Sequence, residues 1–258
     1  MIRVVLIVAA LLMASSAAAR VPPDQLAQVG VRSRPGEQLP LDARFLDAQG
    51  RPTTLGQAEA GRPSVLVFAD YRCNSVCGPA LAIAAAGLLG SGLSARDYRL
   101  LVIGLRPNEP LADARAFQSA HLTAAPEVVS AARFLIGGAD AIRASAQAAG
   151  YRYAYDREND QFVHPVAAFV LTPQGRLSRA FPEVAVAGPE LRDALVQARQ
   201  GRGPSLIEII RVLCHGIDPT TGIYNGAVQT GLRLGAVATL AALAGGVTML
   251  ARRRRAAS

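Results

Sequence analysis

Two cysteines stand four residues apart at the point where one predicted element ends and the next begins. Cys73 and Cys77 follow the apolar, β-branched run 64–69, and the alanine-rich segment 79–90 comes after them. This order predicts a strand, a turn and a helix, with both sulfurs at the turn. Residues four apart can face one point at a helix start, and the backbone N–H groups there favour the thiolate. The pair is therefore placed for a disulfide or for a soft metal ion.

His164 is the candidate third ligand of such a metal site. It lies in the polar, turn-like segment 160–165, just before the predicted strand 166–171. In a thioredoxin-like sheet this strand would lie beside the one that ends before Cys73, so histidine and cysteines are expected at one edge. Two thiolates and one imidazole suit Cu(I) and can also hold Cu(II), whereas zinc more often has a fourth protein ligand. By themselves, however, the cysteines fit a structural disulfide equally well, and a single histidine before a strand is usually structural.

Alternating strands and helices are predicted around these residues. A hairpin over 41–55 comes first and is followed by strands over 64–69, 98–105, 132–136 and 166–171, the last paired in a second hairpin with 176–181, and by helices over 79–90, 111–120, 139–149 and 188–199. This order predicts an α/β fold, a thioredoxin-like sandwich with an N-terminal hairpin extension, over residues 41–202.

The N-terminal segment predicts secretion. Residues 1–19 contain Arg3, the apolar run 4–13 and a group of small residues before Ala19, which is the pattern of a cleaved signal peptide. Residues 20–40 are rich in Pro, Gly and polar side chains and are predicted to form a tether.

The C-terminal segment predicts a membrane anchor. Residues 231–251 are mostly apolar and long enough to cross a bilayer as one helix. The four arginines 252–255 follow directly and would keep the tail 252–258 in the cytoplasm. With 203–230 as a juxtamembrane segment, the main domain is predicted to lie in the periplasm, held at the cytoplasmic membrane by one C-terminal transmembrane helix.

The composition argues against two other classes of protein. All 27 basic residues are arginines and the net charge is +8, but apart from 252–255 they are scattered, with no basic stripe interleaved with aromatics, so nucleic-acid binding is not predicted. Three cysteines in 258 residues exclude a small disulfide-stapled domain.

The residues around the candidate site resemble those of the SCO/SenC family of copper chaperones. The likeness is carried by Phe68-Ala-Asp-Tyr-Arg-Cys73-Asn-Ser-Val-Cys77, by the strand 100–104, and by His164 ahead of Phe169-Val-Leu-Thr-Pro-Gln-Gly175. The segment Leu213-Cys214-His215 to Tyr224, before the predicted membrane helix, is similar to a bacterial membrane-anchored branch of that family.

This resemblance implies one copper ion bound through Cys73, Cys77 and His164. It also implies a role in assembling the copper A centre of cytochrome c oxidase, by copper delivery or by thiol reduction. The implied partners are the oxidase subunit that carries copper A and other periplasmic copper chaperones or thiol reductants. Two positions depart from the family pattern: Asn74 stands where relatives often have proline, and Arg106-Pro107 stands where they often have an aspartate–proline pair.

Two other functions would use the same cysteines. A periplasmic thiol–disulfide oxidoreductase or thiol peroxidase needs Cys73 or Cys77 as the attacking thiolate and the other as its resolving partner, with no use for His164 as a ligand. A membrane-tethered interaction module needs only a structural disulfide between them. A chaperone hands its metal over without catalytic turnover, so the leading hypothesis is not an enzyme.

The remaining cysteine and histidines and a group of tyrosines are the other residues that could have a function. Cys214 and His215 are predicted to be packing residues of the juxtamembrane segment, because the pair lacks further ligands, and His121 is predicted to be a surface histidine. Tyr151, Tyr153 and Tyr155 alternate as in a strand and fit either packing or a docking surface.

Overall fold

The computed structural model describes residues 29–73, 77–182 and 188–201, together with the single positions 234, 235, 239 and 243. The predicted signal peptide, the Cys214–His215 pair and nearly all of the predicted membrane helix 231–251 lie outside these residues. Within the described part of the chain, no helix is both long enough and apolar enough to cross a membrane.

Eleven strands and six helices are formed by the described residues. The strands are β1 (Gly30–Val31), β2 (Arg44–Asp47), β3 (Pro52–Thr54), β4 (Ser64–Ala69), β5 (Arg99–Gly104), β6 (Ala132–Gly137), β7 (Tyr151–Arg152), β8 (Ala154–Asp156), β9 (Gln161–Val163), β10 (Ala167–Leu171) and β11 (Leu177–Pro182). The helices are α1 (Leu55–Glu59), α2 (Cys77–Gly90), α3 (Leu111–Leu122), α4 (Pro126–Ala131), α5 (Ala139–Ala149) and α6 (Gly188–Arg199).

A mixed seven-stranded sheet forms the centre of the domain, in the order β11-β10-β4-β5-β6-β2-β3. Strands β4, β5 and β6 are parallel, while β10 runs antiparallel to β4 and β11, and β2 runs antiparallel to β6 and β3. The parallel centre, with an antiparallel hairpin on one side and an N-terminal hairpin on the other, is the α/β arrangement expected from the sequence. The prediction that the strand after His164, β10, lies beside β4 is confirmed.

The central strands are apolar on both faces, and helices cover both faces of the sheet and bury them. All six residues of β4 are buried. Along β4 and β5, alternate side chains enter two separate apolar clusters. One cluster is closed by α2, α3, α4 and α6, and the other by α1 and α5. The carboxyl ends of β4 and β5 therefore open onto the edge where Cys73 follows.

Several predicted bounds agree with the structure residue for residue, others differ by one or two residues at an end, and some short elements were not predicted. The strand 64–69 and the helices 139–149 and 188–199 match their predicted ranges. The short elements α1, α4, β1 and β9 were not predicted. The segment 160–165, predicted as a turn, contains the strand β9.

The described part of the predicted tether packs on the domain. Within residues 29–40, β1 pairs with β7, and the side chains of Val31 and Leu39 are buried. Short pairings of this kind depend on contacts with residues far along the chain, which local sequence does not encode.

Candidate metal centre

A tight turn after β4 presents Cys73. The Cys73 N–H donates to the carbonyl oxygen of Asp70 at 3.0 Å, and the Arg72 N–H donates to Asp70 Oδ1 at 3.1 Å. This Asx-type turn reverses the chain directly beyond the sheet edge. Cys73 is half-buried and packs against the apolar cluster between the sheet and α2. Cys77 is the first residue of α2, as its proposed place at the helix start requires.

Tyr71 fastens the same turn to the sheet. Its ring is buried and its hydroxyl lies 2.8 Å from the carbonyl oxygen of Val102 and 3.1 Å from that of Leu135. The hydroxyl can donate its one proton to either carbonyl, so the residue two positions before Cys73 is held by β5 and β6. Burial, together with the charge of Glu109, raises the pKa of Tyr71 well above its usual value, and the hydroxyl stays protonated as a donor.

His164 lies at the same end of the sheet as Cys73. It precedes β10, which runs antiparallel to β4 with Ala168 opposite Val67. Because the strands are antiparallel, the chain that leads back from Ala168 to His164 runs in the same direction as the chain that leads on from Val67 to Cys73. The histidine is half-buried, with its ring centroid 6.3 Å from that of Tyr151. The two predicted ligands, far apart in sequence, are brought to one edge.

The hydrogen bond at His164 determines which ring nitrogen can bind a metal. Nδ1 lies 3.1 Å from the carbonyl oxygen of Pro165. A carbonyl can only accept, so Nδ1 carries the proton and the lone pair of the neutral ring is on Nε2. Burial lowers the pKa of His164, although the Pro165 carbonyl and the charge of Asp70 oppose that shift. The ring is therefore neutral at pH 7, in the protonation state that a metal requires.

The full set of three ligands stays a prediction. Among residues 29–73, 77–182 and 188–201, no group of three or more His, Cys, Asp or Glu side chains is arranged to hold a metal ion. The side chain of Cys77 is not among those described. The structure thus places Cys73 and His164 at one edge and the backbone of Cys77 at the helix start beside it.

Buried carboxyl groups lie beneath this edge. Asp70 and Glu109 are 2% and 4% exposed, so both carboxyl groups are withdrawn from solvent. Burial raises the pKa of Glu109 to about 8, an effect that Asp70 increases and Arg106 opposes. Gly104 makes room for this carboxyl group, since a Cβ there would lie 2.8 Å from Glu109 Oε2. At pH 7 the Glu109 side chain is mostly protonated.

His121 is closer to the cysteine motif than its sequence indicated. Its ring packs on Phe117 with centroids 4.6 Å apart. It also lies against Gly78, where a Cβ would come within 2.1 Å of His121 Cε1. The histidine predicted to be a surface residue is therefore half-buried beside the residue that follows Cys77. The four-residue spacing between Phe117 and His121 could have predicted the contact between their rings. No sequence pattern could have predicted that His121 lies against Gly78.

The three tyrosines divide between packing and surface. Tyr151 is buried and stacks on Phe68 with centroids 4.6 Å apart, whereas Tyr155 is 40% exposed and contacts Phe162. Tyr151 lies in β7 and Tyr155 in β8, which belong to different sheets. Tyr153 lies between the two strands and packs partly against the apolar cluster.

Solved structures with the same fold include Sco proteins. A candidate electron transfer protein from Aquifex aeolicus VF5 matches with a TM-score of 0.57 and 20% identity, over 66% of this chain and 96% of that one. BsSco, from the Sco family of cytochrome c oxidase assembly proteins, matches with a TM-score of 0.51 and 17% identity, over 65% and 95%. Arabidopsis thaliana ScoI with copper bound matches with a TM-score of 0.50 and 15% identity, over 62% and 96%.

These likenesses establish that the domain has the fold of Sco proteins. No protein-family model matches the sequence, and no curated protein sequence matches it.

Proposed function

We propose that this chain is a member of the SCO/SenC family and a copper chaperone that binds one copper ion through Cys73, Cys77 and His164. The observation that carries the proposal is the convergence of the cysteine turn and His164 at the carboxyl edge of β4. The bound copper is cargo, passed to a partner by exchange of ligands. Thiolate and imidazole donors at a loop-lined edge suit such exchange.

The donor chemistry supports copper over harder ions. A half-buried cysteine and a neutral imidazole with its lone pair on Nε2 are soft and intermediate ligands, respectively, and both suit Cu(I). Arabidopsis ScoI, with the same fold, has been solved with copper bound. Because a disulfide offers neither thiolate, two-electron oxidation of Cys73 and Cys77 would release the metal, and BsSco is described as having a disulfide switch.

The proposed partner is the subunit of cytochrome c oxidase that carries the copper A centre. The chain would deliver copper to it or reduce its cysteines, and other periplasmic copper chaperones or thiol reductants would load or reduce the chain in turn. The structural likeness to BsSco, a member of a family of oxidase assembly proteins, supports this role. The predicted signal peptide and C-terminal membrane helix would hold the domain in the periplasm at the membrane where that subunit lies.

Copper stoichiometry of the reduced full chain tests the proposal. The wild type should bind one Cu(I) per chain. His164→Ala should weaken that binding by at least about 100-fold, since losing a residue that merely orients a metal ligand already costs about 10–100-fold. His215→Ala is the matched control and should leave both stoichiometry and affinity unchanged.

Two results would contradict the three-ligand site. Tight one-to-one binding that survives His164→Ala would remove the histidine from it. An absence of copper binding, together with rapid disulfide exchange by the cysteine pair, would favour the thiol–disulfide oxidoreductase instead.

A further inference from the structure

One side chain connects the cysteine turn with the segment that leads to His164. The Arg106 guanidinium lies just beyond β5, with Nη2 3.6 Å from Asp70 Oδ2. Its Nη1 donates to Asp160 Oδ1 at 2.9 Å, and its Nη2 donates to the Asp160 carbonyl oxygen at 2.9 Å. Asp70 belongs to the turn that presents Cys73, and Asp160 lies four residues before His164. Arg106 therefore bridges the two parts of the proposed site.

The segment before His164 has no strand pairing with the central sheet in the described structure, and its apolar contact with the sheet is made by partly buried rings such as Phe162. Strands β8 and β9 form the β8–β9 hairpin (residues 154–163), which is a two-stranded sheet of its own. In the described structure these strands pair with each other and with no strand of the seven-stranded sheet. Isolated hairpins of this length are marginal in water. The position of the hairpin must then be set by side-chain contacts.

Arg106 supplies several of those contacts. Its guanidinium carbon lies 5.8 Å from the ring centroid of Tyr155 and 5.6 Å from that of Phe162, within the range of cation–π attraction. Tyr155 also donates its hydroxyl to Asp160. The cation thus meets a carboxylate, a carbonyl and two aromatic rings of the one hairpin.

The ion pair of Arg106 with Asp70 is more strongly shielded from solvent than its pair with Asp160. The side chain of Asp70 is 3% exposed and that of Arg106 is 17% exposed, so this pair is shielded from solvent. A buried carboxylate that loses its cation is strongly destabilising. The side chain of Asp160 is 52% exposed and also meets Arg72 at 3.5 Å. The outer end of the bridge can therefore be removed without leaving a buried charge.

We propose that Arg106 is a positioning residue, which fixes the β8–β9 hairpin against the cysteine turn and so sets the place of His164 for copper binding. This inference rests on the proposed function. An arginine suits the position because its planar fork can serve two carboxylates while its face meets aromatic rings, which a lysine cannot do.

Asp160→Asn weakens the bridge at its exposed end, because it removes the carboxylate charge that Arg106 meets and leaves the bond to the backbone carbonyl oxygen. Asp160 has a positive φ of 48°, and asparagine tolerates that conformation well, so the backbone should be retained. The control is Asp140→Asn, which removes the charge from another exposed ion pair, with Arg143 on α5. Arg106→Lys is the second variant, since it keeps the positive charge and loses the fork.

Two measurements on the full chain separate the inference from the proposed function. In metal-free protein, amide hydrogen exchange across residues 154–163 should be about 10-fold faster in Asp160→Asn and unchanged in Asp140→Asn. Cu(I) affinity, from competition with a chromophoric chelator, should fall about 10-fold in Asp160→Asn and in Arg106→Lys, the lower end of outer-shell effects, with the melting temperature of Asp160→Asn unchanged.

Each possible outcome decides one of the two proposals. A wild type that binds no copper overturns the proposed function, while the exchange data still show whether the bridge holds the hairpin. Faster exchange with unchanged copper affinity overturns the positioning role, as does unchanged exchange in Asp160→Asn. A fall in affinity in Asp140→Asn equal to that in Asp160→Asn also overturns it.

Discussion

The turn that carries Cys73 is rooted in the centre of the sheet, whereas the β8–β9 hairpin that precedes His164 lies outside it. On the cysteine side, β4 is buried on both faces, and the Tyr71 hydroxyl meets carbonyl oxygens of two neighbouring strands. On the histidine side, a separate hairpin is joined to the domain by Arg106, Asp160 and aromatic rings that solvent partly reaches. Core packing therefore holds the cysteine turn. The chain around His164 is held by β10 on one side and by the charge and ring contacts of the hairpin on the other.

This difference has a consequence for metal exchange. Segments held by few buried contacts open more easily than core elements. The proposed function requires the chain to release its metal, and the hairpin before His164 is the part that can move at a small cost in free energy. We therefore expect stability and copper affinity to respond separately to changes in the sheet and in the hairpin.

The largest effects are expected from the fully buried side chains of the central sheet, which support the cysteine turn. Leu66 is fully buried in the middle of β4, and Leu66→Ala should lower the free energy of unfolding by about 2–5 kcal/mol, through lost burial and the cavity left behind. Chemical denaturation measures it. Leu46→Ala, at a 38% exposed position of β2, is the matched control with a small expected loss, and equal losses in the two variants would break the comparison.

A second effect concerns the buried carboxyl group beneath the site. Glu109 has a pKa raised to about 8 by burial and by Asp70, so the folded state holds a proton that the unfolded state releases near pH 4.5. The stability due to this proton is fully present below pH 4.5 and is lost as the pH rises through 8. The unfolding free energy of the wild type should therefore fall by on the order of 3 kcal/mol between pH 5 and pH 8 on account of Glu109. In Glu109→Gln this fall should be absent.

Glu59 provides the comparison for that measurement. It is also buried, and burial alone raises its pKa to about 8, but it lies in α1, away from the candidate site. Glu59→Gln should remove the part of the fall in unfolding free energy that is due to Glu59, and the double variant should remove both parts. If Glu109→Gln kept the full pH dependence of the wild type, the carboxyl group beneath the site would not be the protonated one inferred from its burial.

The smallest effect on stability is expected in the β8–β9 hairpin. Phe162 is half-buried and contacts Tyr153 and Tyr155, and such ring pairs contribute about 0.5–1.5 kcal/mol each. Phe162→Ala should therefore lower the unfolding free energy by about 1–3 kcal/mol through the two lost ring pairs. It should also reduce Cu(I) affinity measurably, because the hairpin is loosened.

Phe134→Ala is the matched change in the core. Phe134 is buried in β6 and its truncation should cost about 3–5 kcal/mol of stability. If Phe162→Ala destabilised the protein as much as Phe134→Ala, the hairpin would be part of the core. The contrast between the sheet and the hairpin would then be lost.

Much of the fold could be predicted because its main elements are long and have clear patterns. The β-branched run 64–69 and the helix 139–149 carry enough local signal to give their bounds. The two-residue β1 and the three-residue β9 carry too little, since each exists only through a partner strand. His121 illustrates the same limit at the site, because its place beside Gly78 depends on how α3 packs on α2.

The sequence by itself determined the order of the elements and the kind of chemistry that the candidate residues can perform. Strand and helix periods are local properties, and the donor atoms of cysteine and histidine belong to the residue types. Only the tertiary structure decided which residues meet at the edge where Cys73 follows β4. The antiparallel register of β10 on β4 brings His164 there. Arg106 joins Asp70 of the cysteine turn to Asp160, which lies 54 residues after the arginine. Such meetings depend on sheet register and buried charge, which arise only when the whole chain has packed.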